Sequence, residues 1–300
     1  MNAQRSLLSL WVGGMTLAIT MSAPTGARGQ SSGGEVGQRK VSLQKQERTW
    51  ARSVLIEFEK TLKPSIKSSG FELLVRIDSN SASESARAER DGTRAILTVD
   101  GGLLKSPRLT EDGLRTVLCH ELGHVLGGAP RRNVPPEWDG PIAADGLSEM
   151  TSEGQADYYA SAVCFRKLVV GQDHRAALAN SSSPTSQTLK ARCESAHGKT
   201  ESALICERAA RGGHNMLVLV KEFPINFDTP SDFVAPSLIR DQYPDRQCRL
   251  DTFVAGALCA ADGGITLDFN DERLTECPTA EARRPRCWSP ALLTLGDRQL

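Results

Sequence analysis

The chain has 300 residues, enough for one large domain or two small ones with a buried core. Lysine plus arginine and aspartate plus glutamate both total 36, so the formal net charge is zero. This balance excludes the basic excess that is typical of nucleic-acid binding, and we expect no nucleic-acid partner.

The first residues, 1–29, have the pattern of a signal peptide. Arg5 supplies the positive start, and an uncharged stretch rich in apolar residues follows over 6–23. Small residues at Ala27 and Gly29 favour cleavage after Gly29. An uncleaved anchor is the alternative, because the stretch is just long enough to span a bilayer. We expect a secreted or periplasmic protein with no stable membrane insertion after cleavage.

The next elements are predicted from composition and periodicity. Residues 30–45 begin with a polar, Gly/Ser-rich run, which predicts a flexible leader. Apolar residues at helical spacing predict a helix over 44–62, which Pro64 is expected to end. Two strands follow, with a loop or a short helix between them. The strands are predicted at 71–77 and 94–99, and the connection at 78–92.

A helix is then predicted from Thr110, a good N-cap, to the glycine pair at 127–128. A loop rich in Pro and Gly is expected over 129–147. Further helices are predicted downstream, ahead of an irregular, Pro-rich tail. They span 149–170, 187–194, 201–223 and 248–258.

The helix after Thr110 contains the segment His-Glu-Leu-Gly-His. Residues four apart share one helix face, so His120 and His124 can present two imidazoles to one ion. Glu121 lies about 100° around the helix, where it can contact a metal-bound water without binding the metal. Zinc lowers the pKa of such a water, and a carboxylate takes its proton during attack. The segment therefore predicts a Zn²⁺ site with Glu121 as general base.

A third zinc ligand is expected in the segment Ser-Glu-Gly-Gln-Ala-Asp over 152–157. Glu153 could bind zinc, and Asp157, on the same helix face, could accept a hydrogen bond from the outer nitrogen of a ligating histidine. Gly154, a costly residue inside a helix, indicates a close approach of another element. The alternative is a solvated acidic helix edge. The ligand would then be sought among Glu149, Asp145 and His174.

All eight cysteines follow residue 118, and an even number in an exported chain predicts disulfides. Cys119 points about 100° away from His120 on the helix, so we do not expect it as a ligand. Cys164 is expected to pair with Cys193 or Cys206. The four cysteines from residue 248 onward are expected to pair among themselves.

The two motifs resemble those of the gluzincin metallopeptidases, which combine His-Glu-x-x-His with a downstream Glu-x-x-x-Asp. Within them the chain is most similar to the CAAX prenyl protease and heat-shock protease group, including its soluble periplasmic members. The segment Tyr-Pro-Asp-Arg-Gln-Cys-Arg-Leu over 243–250 has the spacing of that group's His-Pro and Arg. The resemblance implies that Tyr243, in place of His, donates to the oxyanion, and that Arg249 braces the site. An ordinary helix start is the alternative.

The resemblance also implies that an edge strand ahead of the zinc helix pairs with the substrate backbone. The strand predicted at 94–99 occupies that place. The glycines at 101–102 would let a peptide approach closely, although a plain hairpin turn explains them equally well.

Together these features predict an α+β fold that is mainly helical. A zincin-like catalytic domain with a small sheet ahead of the zinc helix is expected over 46–225. A cysteine-containing, disulfide-tied helical extension over 226–300 is expected to pack on it. The predicted function is that of a zinc metalloendopeptidase acting on a peptide or protein substrate. The alternatives are a non-catalytic exported domain with a structural or degenerate zinc site, and zinc hydrolysis of a non-peptide amide.

Overall fold

Most of the chain is described by the structure, which is a computed structural model. It describes residues 34–134, 142–143, 145–219, 224–260 and 268–290, with side chains from residue 49 onward. The signal peptide predicted over 1–29 lies outside the described residues. Nearly all the described residues belong to one compact unit, which begins at Val41.

The N-terminal helix is longer than predicted. α1 spans Gly34–Ser68, so it begins inside the segment expected to be a flexible leader and continues through Pro64. Leu62 and Ile66, one turn apart, are both buried in the core. This burial outweighs the loss of a backbone donor at Pro64, which lies near the end of the helix. The prediction that Pro64 ends the helix is therefore wrong.

A three-stranded sheet in the described part of the chain follows α1. Its strands are β1 (Glu72–Asp78), β2 (Ala86–Asp91) and β3 (Arg94–Asp100), in the order β1-β3-β2. β1 pairs with β3 in parallel, and β2 pairs with β3 antiparallel. β2 lies where a loop or short helix was expected. Its sequence, Ala-Arg-Ala-Glu-Arg-Asp, lacks the β-branched and aromatic residues that indicate strands.

β3 is the central strand, with a hydrogen-bonded neighbour on each side. Every residue of β3 after Arg94 is buried. The prediction that this strand is the substrate-binding edge is therefore wrong, because an added strand can pair only with an edge. β2 is the edge strand that packs against the motif helix.

The glycines after β3 serve the packing of the chain on itself. Gly101 and Gly102 begin the short helix α2 (Gly101–Lys105). A Cβ on these residues would lie 2.9 Å from Ser79 O and 2.2 Å from Ala82 O. The backbone that approaches these glycines closely is thus the connection between β1 and β2.

The motif helix, α3, spans Glu111–Leu126, as the sequence predicts. The Thr110 hydroxyl accepts a hydrogen bond from Gly113 N at 2.9 Å, which confirms the N-cap. Beyond the helix, Gly128 has φ +76°, a conformation that favours glycine. The helix is buried from Gly113 to its end. The two histidines are therefore not solvated residues of a surface helix.

The second motif helix begins later than predicted and contains an irregular turn. Ahead of it, Arg132 N donates to Met150 O at 2.9 Å, and Thr151 N donates to His124 O at 2.8 Å. A helix beginning at Glu149 would need Met150 O as an intrahelical acceptor, and this oxygen instead accepts from Arg132. The helix consists of α4 (Glu153–Tyr159), a π-helical turn (Ala160–Cys164) and α5 (Phe165–Leu168).

Four more α-helices follow in the described part of the chain, and the first of them was not predicted. They are α6 (His174–Asn180), α7 (Gln187–His197), α8 (Glu201–Val218) and α9 (Arg246–Leu258). α3 packs against α8 and α4, and α9 packs against both of these. Among the described helices, none combines the length and apolar character needed to cross a membrane.

All eight cysteines form disulfides. Those from residue 248 onward pair among themselves, as predicted. The prediction for Cys164 is wrong, because its partner is Cys119. The bonds are Cys119–Cys164, Cys193–Cys206, Cys248–Cys287 and Cys259–Cys277.

The pairing of Cys119 with Cys164 follows from a close helix crossing. A Cβ on Gly123 of α3 would lie 2.9 Å from Ala156 O of α4. Because glycine lets the two helices approach so closely, the Cα atoms of Cys119 and Cys164 come within 5.5 Å. This proximity depends on tertiary packing, which cysteine spacing does not contain.

The C-terminal extension covers α4 through Trp288. This side chain is fully buried, and its Nε1 donates to Thr252 Oγ1 at 2.9 Å. A Cβ on Gly154 would lie 2.5 Å from the indole ring. The close approach predicted at Gly154 is therefore confirmed, and the approaching element is Trp288.

We expect Gly154→Ala to destabilise the protein by about 1–3 kcal/mol, because the added methyl overpacks against the indole. Trp288→Leu removes the aromatic ring whose atoms lie nearest Gly154. In that background Gly154→Ala should lower the free energy of unfolding by clearly less. Urea unfolding of the wild type, the two single variants and the double variant would measure the difference. An equal cost in both backgrounds would contradict the assigned contact.

Candidate metal centre

His120, His124 and Glu153 meet in the interior, where α3 faces the start of α4. The two Nε2 atoms are 3.1 Å apart. The Glu153 oxygens lie 3.3 Å (Oε2) from His120 Nε2 and 3.5 Å (Oε1) from His124 Nε2. All three side chains are buried. The structure therefore brings the three predicted ligands together in a group that could hold a metal ion.

Each histidine is oriented by a partner on its outer nitrogen. His124 Nδ1 lies 3.0 Å from the Thr151 carbonyl oxygen. His120 Nδ1 lies 2.8 Å from Asp157 Oδ1, an ion-pair distance, although the direction departs from good hydrogen-bond geometry. Both partners are acceptors, so they place the proton on Nδ1 and leave the Nε2 lone pairs pointing inward. Asp157 thus lies at ion-pair distance from His120 Nδ1, and its role in orienting the ring stays a prediction.

The inward-facing acceptors fit one small cation. Glu153 Oε2 is buried and has no hydrogen-bond partner in the described part of the chain. It adds a third acceptor to the two Nε2 lone pairs, and three acceptors repel one another unless a cation lies between them. Three ligand atoms arranged tetrahedrally at about 2.0–2.1 Å from a metal ion lie about 3.3 Å from one another. This is close to the spacing of the three acceptors. The group therefore fits a divalent ion.

Protonation of the donors follows from burial and neighbouring charges. Burial, reinforced by the positive charges of His120 and Arg132, lowers the pKa of His124 to about 3. Burial acts in the same direction on His120, but the carboxylates of Asp157 and Glu153 outweigh it and raise that pKa to about 9. Without a metal ion, His120 is therefore an imidazolium at neutral pH, with a second proton on Nε2. A metal ion bound through Nε2 would have to displace this proton.

Arg249, on α9, fixes Asp157. Its Nε donates to Asp157 Oδ2 at 2.7 Å, and its Nη2 donates to Oδ1 at 2.8 Å. Burial opposes ionisation of Asp157, but the charge of Arg249 outweighs it and lowers the pKa of the carboxyl. Arg249 Nη2 also lies 3.9 Å from Glu153 Oε2. The extension therefore reaches the donors through Arg249.

Glu121 lies beside the donors without joining them. The residue is only 8% exposed, and burial raises the pKa of its carboxyl. Among the described residues, burial and neighbouring charges act on the Glu121 carboxyl, and no side-chain hydrogen bond does. A carboxylate with a raised pKa and free oxygens is well suited to accept a proton.

Tyr243 lies at the margin of the group. Its ring centroid is 5.1 Å from Arg249 Cζ, and the residue is 67% exposed. The pKa of Tyr243 is raised, by lost hydration on the side that faces the site and by the negative charge of Glu153. Tyr243 thus lies next to Arg249, the residue predicted to brace the site. Donation by Tyr243 to an oxyanion stays a prediction.

Arg132 is a residue of the site that the sequence analysis missed. Its Nη2 donates to Glu153 Oε1 and lies 3.3 and 3.4 Å from the two ring nitrogens of His124. The loop after α3 has no periodicity that would assign a direction to this side chain. The adjacent basic pair, Arg131 and Arg132, so soon after the histidine motif was the available signal.

The three alternative ligands named from the sequence do not join the donors. Each instead pairs with another charged residue. The pairs are Glu149 with Arg90 at 3.2 Å, Asp145 with Arg131, and His174 with Glu201 at 2.8 Å.

Comparisons of the chain with protein-family models, with curated proteins and with solved structures find no match. The resemblance to gluzincins therefore depends on the residues of the two motifs and on their spacing.

We expect Asp157→Asn to weaken metal binding by about 10- to 100-fold, because the amide holds the His120 ring less firmly and makes it less basic. Titration with zinc against a competing chelator measures this affinity.

Asp112→Asn is the matched control. Asp112 is also bound by two nitrogens of one arginine, with Arg208 Nε and Nη2 at 2.9 and 2.7 Å, but it lies two helical turns before His120 on α3. The control should lose stability and keep its zinc affinity. Equal affinities in Asp157→Asn and wild type would exclude a role of Asp157 in metal binding.

Proposed function

We propose that the chain is an exported zinc metallopeptidase with a zincin-like catalytic domain. The observation that supports this most strongly is the group of His120, His124 and Glu153 beside the carboxylate of Glu121. No fourth His, Cys, Asp or Glu joins this group among the described residues. Three protein ligands are typical of catalytic zinc sites, whereas structural sites have four. This difference favours an enzyme over a structural zinc domain.

His120, His124 and Glu153 would hold the ion through two imidazoles and one carboxylate, a ligand set found in zinc peptidases. When bound, zinc supplies Lewis-acid chemistry, which acidifies water and polarises a carbonyl group. Arg132 donates to Glu153 Oε1 and leaves Oε2 as the oxygen without a partner. We therefore assign Oε2 as the ligand atom of Glu153.

Glu121 has the proposed role of general base. It takes a proton from water as the water oxygen bonds to the carbonyl carbon of the substrate. It then gives this proton to the amine nitrogen as the C–N bond breaks. Because burial raises its pKa, Glu121 is closer to the ideal of a base that titrates near the working pH.

Tyr243 and Arg249 have proposed roles on the other side of the substrate carbonyl. The Tyr243 hydroxyl would donate to the oxyanion. Arg249 lies over the Tyr243 ring and binds Asp157 with two nitrogens. It would therefore position both the tyrosine and, through Asp157, the His120 ligand.

The substrate backbone would pair with β2 rather than with β3. β2 is an edge strand, and it packs against α3. Arg90 of β2 pairs with Glu149 at 3.2 Å, which ties the strand to the segment that leads into Glu153. An extended peptide added to this edge would lie beside the donors.

Export is supported by the disulfides. All eight cysteines are oxidised, and disulfides persist in oxidising compartments. Together with the signal-like sequence over 1–29, this favours a secreted or periplasmic location.

We expect Glu121→Gln to lower turnover of a cleavable peptide by roughly 100- to 10,000-fold, because the amide cannot accept the proton. Zinc content and unfolding free energy should stay near wild type. A peptide library digested with and without a chelator would first supply the substrate.

Glu111→Gln serves as the control, since it changes a mostly exposed glutamate at the start of the same helix. This variant should keep full activity. Wild-type turnover in Glu121→Gln would refute the proposed mechanism.

Tyr243→Phe should lower turnover by roughly 10- to 1,000-fold, by analogy with the loss of one oxyanion donor. Substrate affinity should change little, since the hydrogen bond forms mainly in the transition state. Steady-state kinetics on the same peptide separate the two effects. A wild-type rate would assign Tyr243 to packing at the start of α9 alone.

A further inference from the structure

Arg132 is held beside the metal donors by its backbone. Its N donates to Met150 O at 2.9 Å, and its O accepts from Ser148 N at 3.0 Å. The segment with which it pairs leads directly into Glu153. The Arg132 side chain therefore begins at a fixed position, with its guanidinium in contact with Glu153 and His124.

The two guanidiniums near the candidate metal ligands differ in how many of their N–H groups are free to donate hydrogen bonds. Arg249 uses Nε and Nη2 to bind Asp157, and its side chain is 10% exposed. Arg132 uses Nη2 alone, its side chain is 29% exposed, and its Nε and Nη1 have no acceptor among the described residues. A guanidinium has five N–H donors, so most of those on Arg132 are available to a ligand.

The charges around the candidate metal ligands favour the binding of an anionic substrate group. Glu121, Glu153 and Asp157 are the carboxylates, and Arg132 and Arg249 are the guanidiniums, among the described residues of this group. With both histidines neutral, three carboxylates, two guanidiniums and a bound divalent ion leave an excess of one positive charge. Arg132 is the more exposed of the two guanidiniums and is placed to meet the anion.

We propose that Arg132 determines specificity by binding a carboxylate of the substrate. Guanidinium and carboxylate match in geometry and form short, charge-assisted hydrogen bonds. Because Arg132 contacts Glu153, a proposed zinc ligand, a substrate carboxylate bound by Arg132 would lie close to the scissile bond. One extended residue spans about 3.3–3.6 Å, so the carboxylate belongs to a residue one or two positions away.

This inference rests on the proposed peptidase function. Two sources can supply the carboxylate: the C-terminus of the substrate, or an Asp or Glu side chain beside the scissile bond. The first would make the protein act at peptide C-termini, and the second would make it an endopeptidase selective for acidic residues.

The test is a binding experiment that needs no turnover. The protein is the zinc-loaded Glu121→Gln variant, alone or combined with Arg132→Gln or Arg132→Lys. The probes are N-acetylated alanine pentapeptides, with a C-terminal carboxylate or amide, and amidated versions with Glu or Gln at the centre. Calorimetry measures each affinity, and Arg94→Gln, which changes an exposed arginine of the sheet, is the control.

A carboxylate peptide should bind about 10- to 100-fold more tightly than its uncharged counterpart, the range expected for a hydrogen bond to a charged group. Arg132→Gln should abolish this preference, Arg132→Lys should retain part of it, and Arg94→Gln should leave it unchanged. The peptide pair that shows the preference identifies the source of the carboxylate.

Equal affinities for charged and uncharged peptides, or no binding of either carboxylate peptide, would overturn the proposal. A uniform loss across all four peptides in Arg132→Gln, together with weaker zinc retention, would also overturn it and assign Arg132 to holding Glu153. Absence of hydrolysis by wild type would refute the peptidase function, whereas a carboxylate preference in the binding experiment would stand.

Discussion

The mutual repulsion of three buried acceptors is the constraint on which this site depends. The Nε2 atoms of His120 and His124 lie 3.1 Å apart, and Glu153 Oε2 lies 3.3 Å from the first of them. Such a group is stable only with a cation or a proton between its members. In the metal-free protein a proton on His120 meets this need, and a divalent ion would meet it more completely. Binding of a metal ion by this group would therefore be linked to the folding of α3 against α4.

The rest of the fold keeps the two ligand-bearing helices in contact. Gly123 permits their close crossing, and the Cys119–Cys164 disulfide joins α3 to the turn that follows α4. Trp288 covers Gly154, and Arg249 binds Asp157, so the C-terminal extension holds α4 from its other side. Each of these contacts lies next to a ligand or to the residue that orients one. The extension thus contributes to the candidate metal centre, although its cysteines lie far from the motifs in sequence.

The residues at the centre of the site could be predicted from local sequence patterns. The elements around it depend on contacts between residues far apart in the chain. The four-residue spacing within each motif depends only on helical geometry, so the faces of α3 and α4 could be predicted. The N-cap at Thr110 is likewise local. By contrast, β2 is a charged edge strand that forms only against β3, and the position of Arg132 depends on loop pairing. The partner of Cys164 depends on a helix crossing that no spacing rule contains.

The most direct test of this account is zinc-edge X-ray absorption on the purified protein, combined with elemental analysis. We expect one zinc ion per chain, with two imidazole nitrogens and a carboxylate oxygen at about 2.0–2.2 Å, and one further light atom from solvent. A sulfur ligand at about 2.3 Å would contradict the assignment of the site. So would a single imidazole in the first shell, or a protein that folds with all disulfides formed and yet binds no divalent metal.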